Sequence, residues 1–499
     1  MISLRPAALA VLCSFALAPV LAAQGYRLRL ETRAQSVSFR GVTLDSIPAG
    51  DVVPGPEGGP TTVDGFAVRC VGANPYCMYF RPGPERRAGP LTTLAALSAW
   101  GLGAPGVSAH ATARWGLDLG AAEVWPGTTP TLQLLEGYAQ YATSRLTARL
   151  GRQLARSRFG TSGFDGAQLT LRDSHSGLEA GGYVGSGLDR GVTLPVTSPA
   201  LNPLDDFQPS RRQVVVGLGA GWTGPRMDLR MDYLREVDPR SDYFVSERVG
   251  IAGVVRPVAA WSLTGGADYD LAAGWWGSAD ATLAYATRSV AAAVGVRRYR
   301  PHFDLWTIWG AFSPVPYRAV HGRVALRLRP ELQLRARAER YSFDAAEAET
   351  PLVDVERDGW RWEVGGTVVP DTRWTIDLGY HAEFGPGAAS AGPGGRVTYA
   401  PAPAVRLTLH GAYLDRPLEL RFSDAALRLY GLEAQALVTP RVRATLGASR
   451  YLEERERPDA AAFSWNQVRV TAGLAVELGP DADGRALQVI RRLPRGPAR

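Results

Sequence analysis

Between Leu332 and Tyr341 the chain reads LQLRARAERY, with Leu332, Leu334, Ala336 and Ala338 alternating with Gln333, Arg335, Arg337 and Glu339. A helix turns about 100° per residue and would scatter those charges around its axis. A strand sends successive side chains to opposite faces, so every Leu and Ala falls on one side and every charge on the other. The stretch is therefore a strand with one oily and one wet face. A basic ribbon that grips nucleic acid interleaves aromatics with its charges; here the wet face is Gln, Arg, Arg and Glu.

The pattern recurs along the chain. Tyr26, Leu28 and Leu30 alternate with Arg27, Arg29 and Glu31, and Arg33 continues the wet row. The same holds for VSAHATARWGLD from Val107, VHGRVALRL from Val320, RWTIDLGYHAE from Arg373, VRLTLHGAY from Val405 and NQVRVTAGLAVEL from Asn466. The connections sort by length. Short ones carry turn residues, as at Gly103, Thr143, Asp173, Thr223, Arg256, Arg329, Val369, Ala400 and Thr439. Long polar ones span 41–90, 119–130, 154–163, 187–212, 236–246, 299–316, 343–357, 384–393, 414–424 and 453–463. Short turns at one end and long loops at the other mark an up-and-down barrel in a membrane.

The count between connections is about 22 strands, within a range of 18 to 24, from Tyr26 to Leu478. Each has roughly ten residues rising about 3.3 Å, enough to cross a tilted path through the bilayer core. Trp115, Trp222, Trp261, Trp360, Trp362, Trp374, Tyr380 and Tyr413 gather near strand ends, where interfacial girdles form.

Residues 1–23 read as a secretory signal, with Arg5, an apolar run and small residues before the cleavage site. Beyond it no apolar run is long enough for a spanning helix, so a membrane crossing has to be made by strands. Backbone groups find no water inside a bilayer, and the strands must close on themselves. The expected organisation is all-β: a signal at 1–23, one antiparallel transmembrane barrel at 24–478 and a periplasmic tail at 479–499, with no plug domain. Cys70 and Cys77 flank a Gly- and Pro-containing loop of an exported chain and predict a disulfide. The loop that holds them, 41–90, is the best candidate to fold inward or cap the mouth.

All 55 basic residues are arginine, and the net charge of +7 is too mild to demand a polyanion partner. Strand phase places Arg27, Arg29, Arg33, Arg114, Arg149, Arg230, Arg323, Arg327, Arg335, Arg337, Arg406, Arg443 and Arg469 on the lumen face. Positive side chains around a pore favour anions, unless each is matched by a carboxylate across a strand. No metal-ligand spacing or phosphate-cradling glycine loop is present. Asp173-Ser174-His175 has the residue types of a hydrolase triad, but neighbours in a tight turn point apart, and it reads as a turn. His110, His321, His381 and His410 alternate onto the wet face, which makes them wall residues.

Residues 131–172 resemble a hairpin of porin and alginate-export-type outer-membrane barrels, in Ala148-Arg149-Leu150-Gly151-Arg152-Gln153 followed by Phe164-Asp165-Gly166. The resemblance implies a passive pore or export channel, with Arg149, Arg152 and Gln153 lining the wall or a constriction. Barrels of that type end on an aromatic residue, whereas here GPDADGRALQVIRRLPRGPAR follows Leu478. The expectation is an outer-membrane channel for small hydrophilic solutes, anions among them, or an exported glycan. The alternatives are a surface barrel acting through its loops and, more remotely, a rim hydrolase. Expected partners are outer-membrane lipid and lipopolysaccharide, the solute and the barrel assembly machinery, with no nucleic acid, cofactor, metal or catalytic residue.

Overall fold

The computed structural model describes residues 24–55, 59–72, 74–120, 132–190, 207–208, 213–237, 244–300, 316–344, 358–385, 388–415, 425–455 and 464–479. The segment expected as a signal, 1–23, and the expected tail beyond Gly479 lie outside them. Twenty-two antiparallel strands close into one barrel. In chain order they are β1 Gly25–Pro48, β2 Tyr76–Ala88 continued by Pro90–Trp100, β3 Val107–Asp118, β4 Leu132–Ala142, β5 Leu146–Ser157, β6 Gly160–Asp173, β7 Leu178–Arg190, β8 Val214–Thr223, β9 Met227–Val237, β10 Phe244–Val258 and β11 Trp261–Asp270. The second half runs β12 Trp275–Ala286, β13 Val290–Tyr299, β14 Tyr317–Arg329, β15 Leu332–Phe343, β16 Asp358–Val368, β17 Trp374–Gly385, β18 Ala388–Ala402, β19 Val405–Asp415, β20 Ala425–Thr439, β21 Val442–Arg455 and β22 Trp465–Leu478.

β1 closes the cylinder against β22, with Leu28 across from Leu478 and Val37 across from Arg469. Both ends of the barrel chain therefore lie at the rim of short turns, as an even strand number requires. Large apolar side chains stand exposed on the outer face, including Leu150, Leu218, Ile251, Val294, Val320, Leu378, Leu409, Leu446 and Leu474. That outer belt is what a lipid solvent demands, and the closed ladder leaves no strand edge within it. Aromatic pairs mark its borders: Trp261–Tyr285 and Trp374–Tyr399 at the short-turn rim, with centroids 4.9 and 4.4 Å apart, and Tyr269–Trp276 at the other, 5.3 Å apart.

The sorting of connections is less strict than the sequence suggests. The expected loop 154–163 is paired strand except for Arg158 and Phe159, and the expected loop 384–393 shrinks to the two residues between Gly385 and Ala388. Their Gly, Ser and Pro content reads as loop, yet small residues also let strands pack closely. Pro393 sits where the ladder from β18 to β19 is interrupted, between Ala391 and Gly394, so its missing N–H costs no bond on that side. Asp270 and Trp275 are joined by a four-residue connection that the polarity pattern does not mark.

The first loop is corrected too. β1 runs on to Pro48 and β2 begins at Tyr76, so the two form a ribbon beyond the barrel, with a register shift between Arg40 and Val42. The predicted disulfide joins Cys70 and Cys77, and Cys77 is fully buried against the ribbon.

Candidate functional site

The element that enters the lumen is the β5–β6 hairpin. Its tip lies against the inner faces of β9 to β12, chiefly through Arg158 and Phe159, and the Arg156 carbonyl accepts from Arg230 at 3.3 Å. The Arg158 backbone N–H donates to Asp232 Oδ2 at 3.1 Å and its Nη2 donates to Asp280 Oδ1 at 2.9 Å. Arg158 Nε stands 3.6 Å from Asp268 Oδ2. Phe159 lies under the Arg248 guanidinium, 5.0 Å from it. The wall makes room with glycine: a Cβ on Gly250 would stand 3.1 Å from the Phe159 ring, and one on Gly266 would collide with Arg158 Nη1.

Beneath the hairpin lies a buried apolar cluster. Phe164 and Leu234 are 0 % and 1 % exposed, and Val215, Ala155 and Leu188 join them in burial. Phe164 stacks on Tyr183 with centroids 4.8 Å apart. Gln153 is also fully buried and donates to the Gly166 carbonyl at 3.0 Å. Asp232, Glu236, Asp268 and Asp270 are buried in the same sector, making this side of the lumen rich in acid.

The wall from β13 to β17 carries a cross-strand charge network. Glu339 accepts from Arg297 at 2.6 Å and stands 3.3 Å from Arg361. Tyr341 OH donates to Glu383 at 3.0 Å. Arg335 grips Asp377 with two bonds of 2.7 and 2.9 Å, and Thr367 donates to the same carboxylate at 2.7 Å. Such bidentate pairs fix geometry as well as charge.

The arginines of the sequence-based list alternate with the exposed apolar rows of their strands and fall into three conditions. Arg27 pairs with Glu477, Arg29 with Glu31 at 2.8 Å, Arg230 with Asp232 at 2.9 Å and Arg337 with Glu363 at 2.8 Å. Arg114 is buried and donates to Gln133 at 2.8 Å, Arg149 donates to Gln140 at 2.7 Å, and Arg469 donates to Gln467 at 3.1 Å. Arg33, Arg323, Arg327, Arg406 and Arg443 make no ion pair or hydrogen bond through their guanidinium groups among the described residues, whereas Arg396 lies directly across from Asp377. Arg323 faces Arg337 directly across the β14–β15 ladder, so two cations stand side by side.

Of the hairpin residues carried by the family resemblance, Arg149 and Gln153 face inward. Arg152 does not: it sits on the outer face, doubly bonded to Asp165 at 2.7 Å and to the Leu134 carbonyl at 2.8 Å. Arg158 and Phe159 escaped sequence reasoning because they stand in a polar stretch that reads as an external loop. The acids that hold them were visible as wet-face residues, but nothing in one dimension ties them to a hairpin three strands away.

His110 is held by Ser98 at 2.8 Å and Thr112 at 3.1 Å, and stands 3.4 Å from Glu136. His321, His381 and His410 are wall residues, and His302 lies outside the described residues. Asp173 spends its carboxylate on its own turn, accepting from Ser176 Oγ at 2.6 Å and from the His175 N–H at 3.1 Å. Among the described residues no three His, Cys, Asp or Glu side chains converge as metal ligands.

No family model matches the chain, and no curated protein matches it. Solved structures do resemble it. OccK3 (OpdO) of Pseudomonas aeruginosa is 12% identical, with 92% of this chain and 97% of that one covered and a TM-score of 0.40. A BenF-like porin from Pseudomonas fluorescens Pf-5 is 10% identical, with 92% and 100% covered and a TM-score of 0.40. A mutant of the ferric enterobactin receptor (PfeA) of Pseudomonas aeruginosa is 8% identical, with 91% and 80% covered and a TM-score of 0.48.

Proposed function

We propose that the protein is an outer-membrane channel for passive passage of small hydrophilic solutes, with anions favoured. The observation that carries this reading is the set of lumen arginines that form no ion pair with a carboxylate among the described residues: Arg33, Arg323, Arg327, Arg406 and Arg443. A guanidinium matched to an acid stiffens a wall; an unmatched one attracts counter-ions. The infolded hairpin narrows one side of the lumen, where the acids lie, and an anion is steered to the opposite wall. A small anionic solute and an exported glycan with carboxylates fit the same chemistry.

The test is single-channel recording of the refolded mature chain in a planar bilayer under a salt gradient. The expected result is steady conductance with a reversal potential on the anion side. A protein that inserts yet passes no current would overturn the reading.

A second reading has one observation in its favour. Leu44, Tyr76, Met78 and Phe80 stand exposed on one face of the ribbon beyond the barrel, 52%, 54%, 39% and 59% accessible. A contact role for this ribbon predicts that replacing residues 43–82 with a short turn abolishes binding of whole cells to their surface partner while conductance persists.

A further inference from the structure

The outer face carries a charged patch that the channel reading does not use. Arg298, Arg318 and Arg340 come from consecutive strands β13, β14 and β15, near the long-loop rim. Arg298 lies directly across from Arg318, and Arg340 across from Val320, one step along the same face. Their phase is outward: each continues a row whose next members are exposed apolar residues, Val296 and Val294 below Arg298 and Val320 below Arg318. The patch therefore begins about 7 Å along the strands from the apolar belt.

Its ion pairs are looser than the tight pairs of the lumen wall. Arg298 and Arg318 share Asp344, each at 3.6 Å, and Arg340 stands 3.9 Å from Asp358. The lumen pairs Arg297–Glu339, Arg335–Asp377 and Arg337–Glu363 close to 2.6, 2.7 and 2.8 Å. A charge-assisted N–H···O bond is complete at about 2.7–2.9 Å. At the outer distances the carboxylates balance part of the charge without consuming the guanidinium donors. Arg318 and Arg340 keep 70% and 59% of their side-chain surface open. Trp360 lies beside the patch, with Arg340 5.4 Å from its ring, and is itself half exposed. Trp and Arg together above an apolar belt match the layer where lipid headgroups begin.

We propose that Arg298, Arg318 and Arg340 form a binding site for the phosphate of an outer-leaflet lipid headgroup, the acyl chains lying along the Val294–Val296–Val320 surface. The ligand is a lipid rather than free phosphate because the cations stand at the edge of an acyl-facing surface and not in a cavity. This rests on the membrane-spanning reading of the barrel but not on its being a channel.

The test uses the full mature chain refolded in a neutral detergent, titrated with a bisphosphorylated glucosamine lipid, with the same lipid stripped of its phosphates, and with inorganic phosphate. Binding is read by thermal shift and by lipid retention in native mass spectrometry. The expected result is saturable binding of the phosphorylated lipid alone, weakened about 100-fold in the triple variant R298Q/R318Q/R340Q, the product of three single-charge contributions at an anionic surface. The single variant R318Q, which touches one exposed side chain, is expected to bind about fivefold more weakly and covers a triple variant that fails to refold. The pair R428Q/R450Q, elsewhere on the same rim, should bind normally. Equal binding by wild type and variants, equal binding of the dephosphorylated lipid, or full competition by millimolar phosphate would overturn the site. Conductance recorded on the same samples separates the two ideas: a silent barrel that binds the lipid defeats the channel and leaves this site standing.

Discussion

Phe164 is fully buried in the cluster beneath the hairpin, so it reports on the hairpin rather than on the open wall. Phe164→Ala should destabilise the hairpin's docking by about 3–5 kcal/mol, the usual cost of emptying a large aromatic site. The check is denaturant unfolding of the refolded barrel together with conductance, which should become noisier as the tip detaches. Asp173 offers a pH test at the opposite rim. The Ser176 hydroxyl, and after it the His175 N–H, holds its carboxyl below the ordinary range. A lowered folded pKa means that the turn gains stability above the unfolded value of about 3.9 and loses it as pH falls through the folded value. Protection of the His175 amide against exchange should therefore decline below about pH 4, and Asp173→Ala should remove that dependence. At this scale the lumen-facing phase of Arg149 was legible, whereas Arg152, expected with it on the wall, turns outward to Asp165. Partner choice was not. Arg337 turns to Glu363 on the next strand rather than to Glu339, because pairing follows the register between strands, which one strand's sequence does not contain.

The β5–β6 hairpin is the element on which pore width depends. Its tip is held by a polar clasp, Arg158 among Asp232, Asp268 and Asp280, and by two glycine sockets, Gly250 and Gly266. Arg158 and Asp268 keep only 12% of their side-chain surface each, so breaking the clasp leaves charge stranded away from water. Arg158→Ala should cost about 3–5 kcal/mol on that ground, and conductance should rise. Gly266→Val tests the socket without touching the charges. Its side chain would occupy the place of the Arg158 guanidinium and also press on the Ile251 carbonyl, so the tip must move away while the acids remain. Both variants should converge on a wider pore; a Gly266→Val barrel of unchanged conductance would mean that the tip does not limit the passage. The sequence held the strands of this hairpin in plain alternation. Its inward course was hidden because Gly, Ser and Arg satisfy water outside a barrel and carboxylates inside it equally well.

At the scale of the whole molecule, period two and an even strand number were enough to predict a closed cylinder with both ends of its chain at the short-turn rim. What no strand could reveal alone is the asymmetry of the lumen: acids buried under the hairpin on β9 to β11, and arginines without an ion pair among the described residues on β14, β19, β21 and β1. That asymmetry makes a quantitative demand on selectivity. In a wide pore an anion preference exists only while the screening length spans a good part of the water column. The Debye length is about 10 Å at 0.1 M salt and about 3 Å at 1 M. Anion preference should therefore be clear at 0.1 M and nearly vanish at 1 M, as measured by reversal potentials at fixed salt ratio. Arg406 and Arg443 stand one residue inside the short-turn rim, after Val405 and Val442. The double variant Arg406→Gln/Arg443→Gln should lower the preference at 0.1 M and change little at 1 M, without altering stability, since neither side chain holds a partner among the described residues that would be left behind. Selectivity that ignores salt would place the discriminating contact in a dry constriction at the hairpin tip rather than on the open arginine wall, and Gly266→Val would then abolish it.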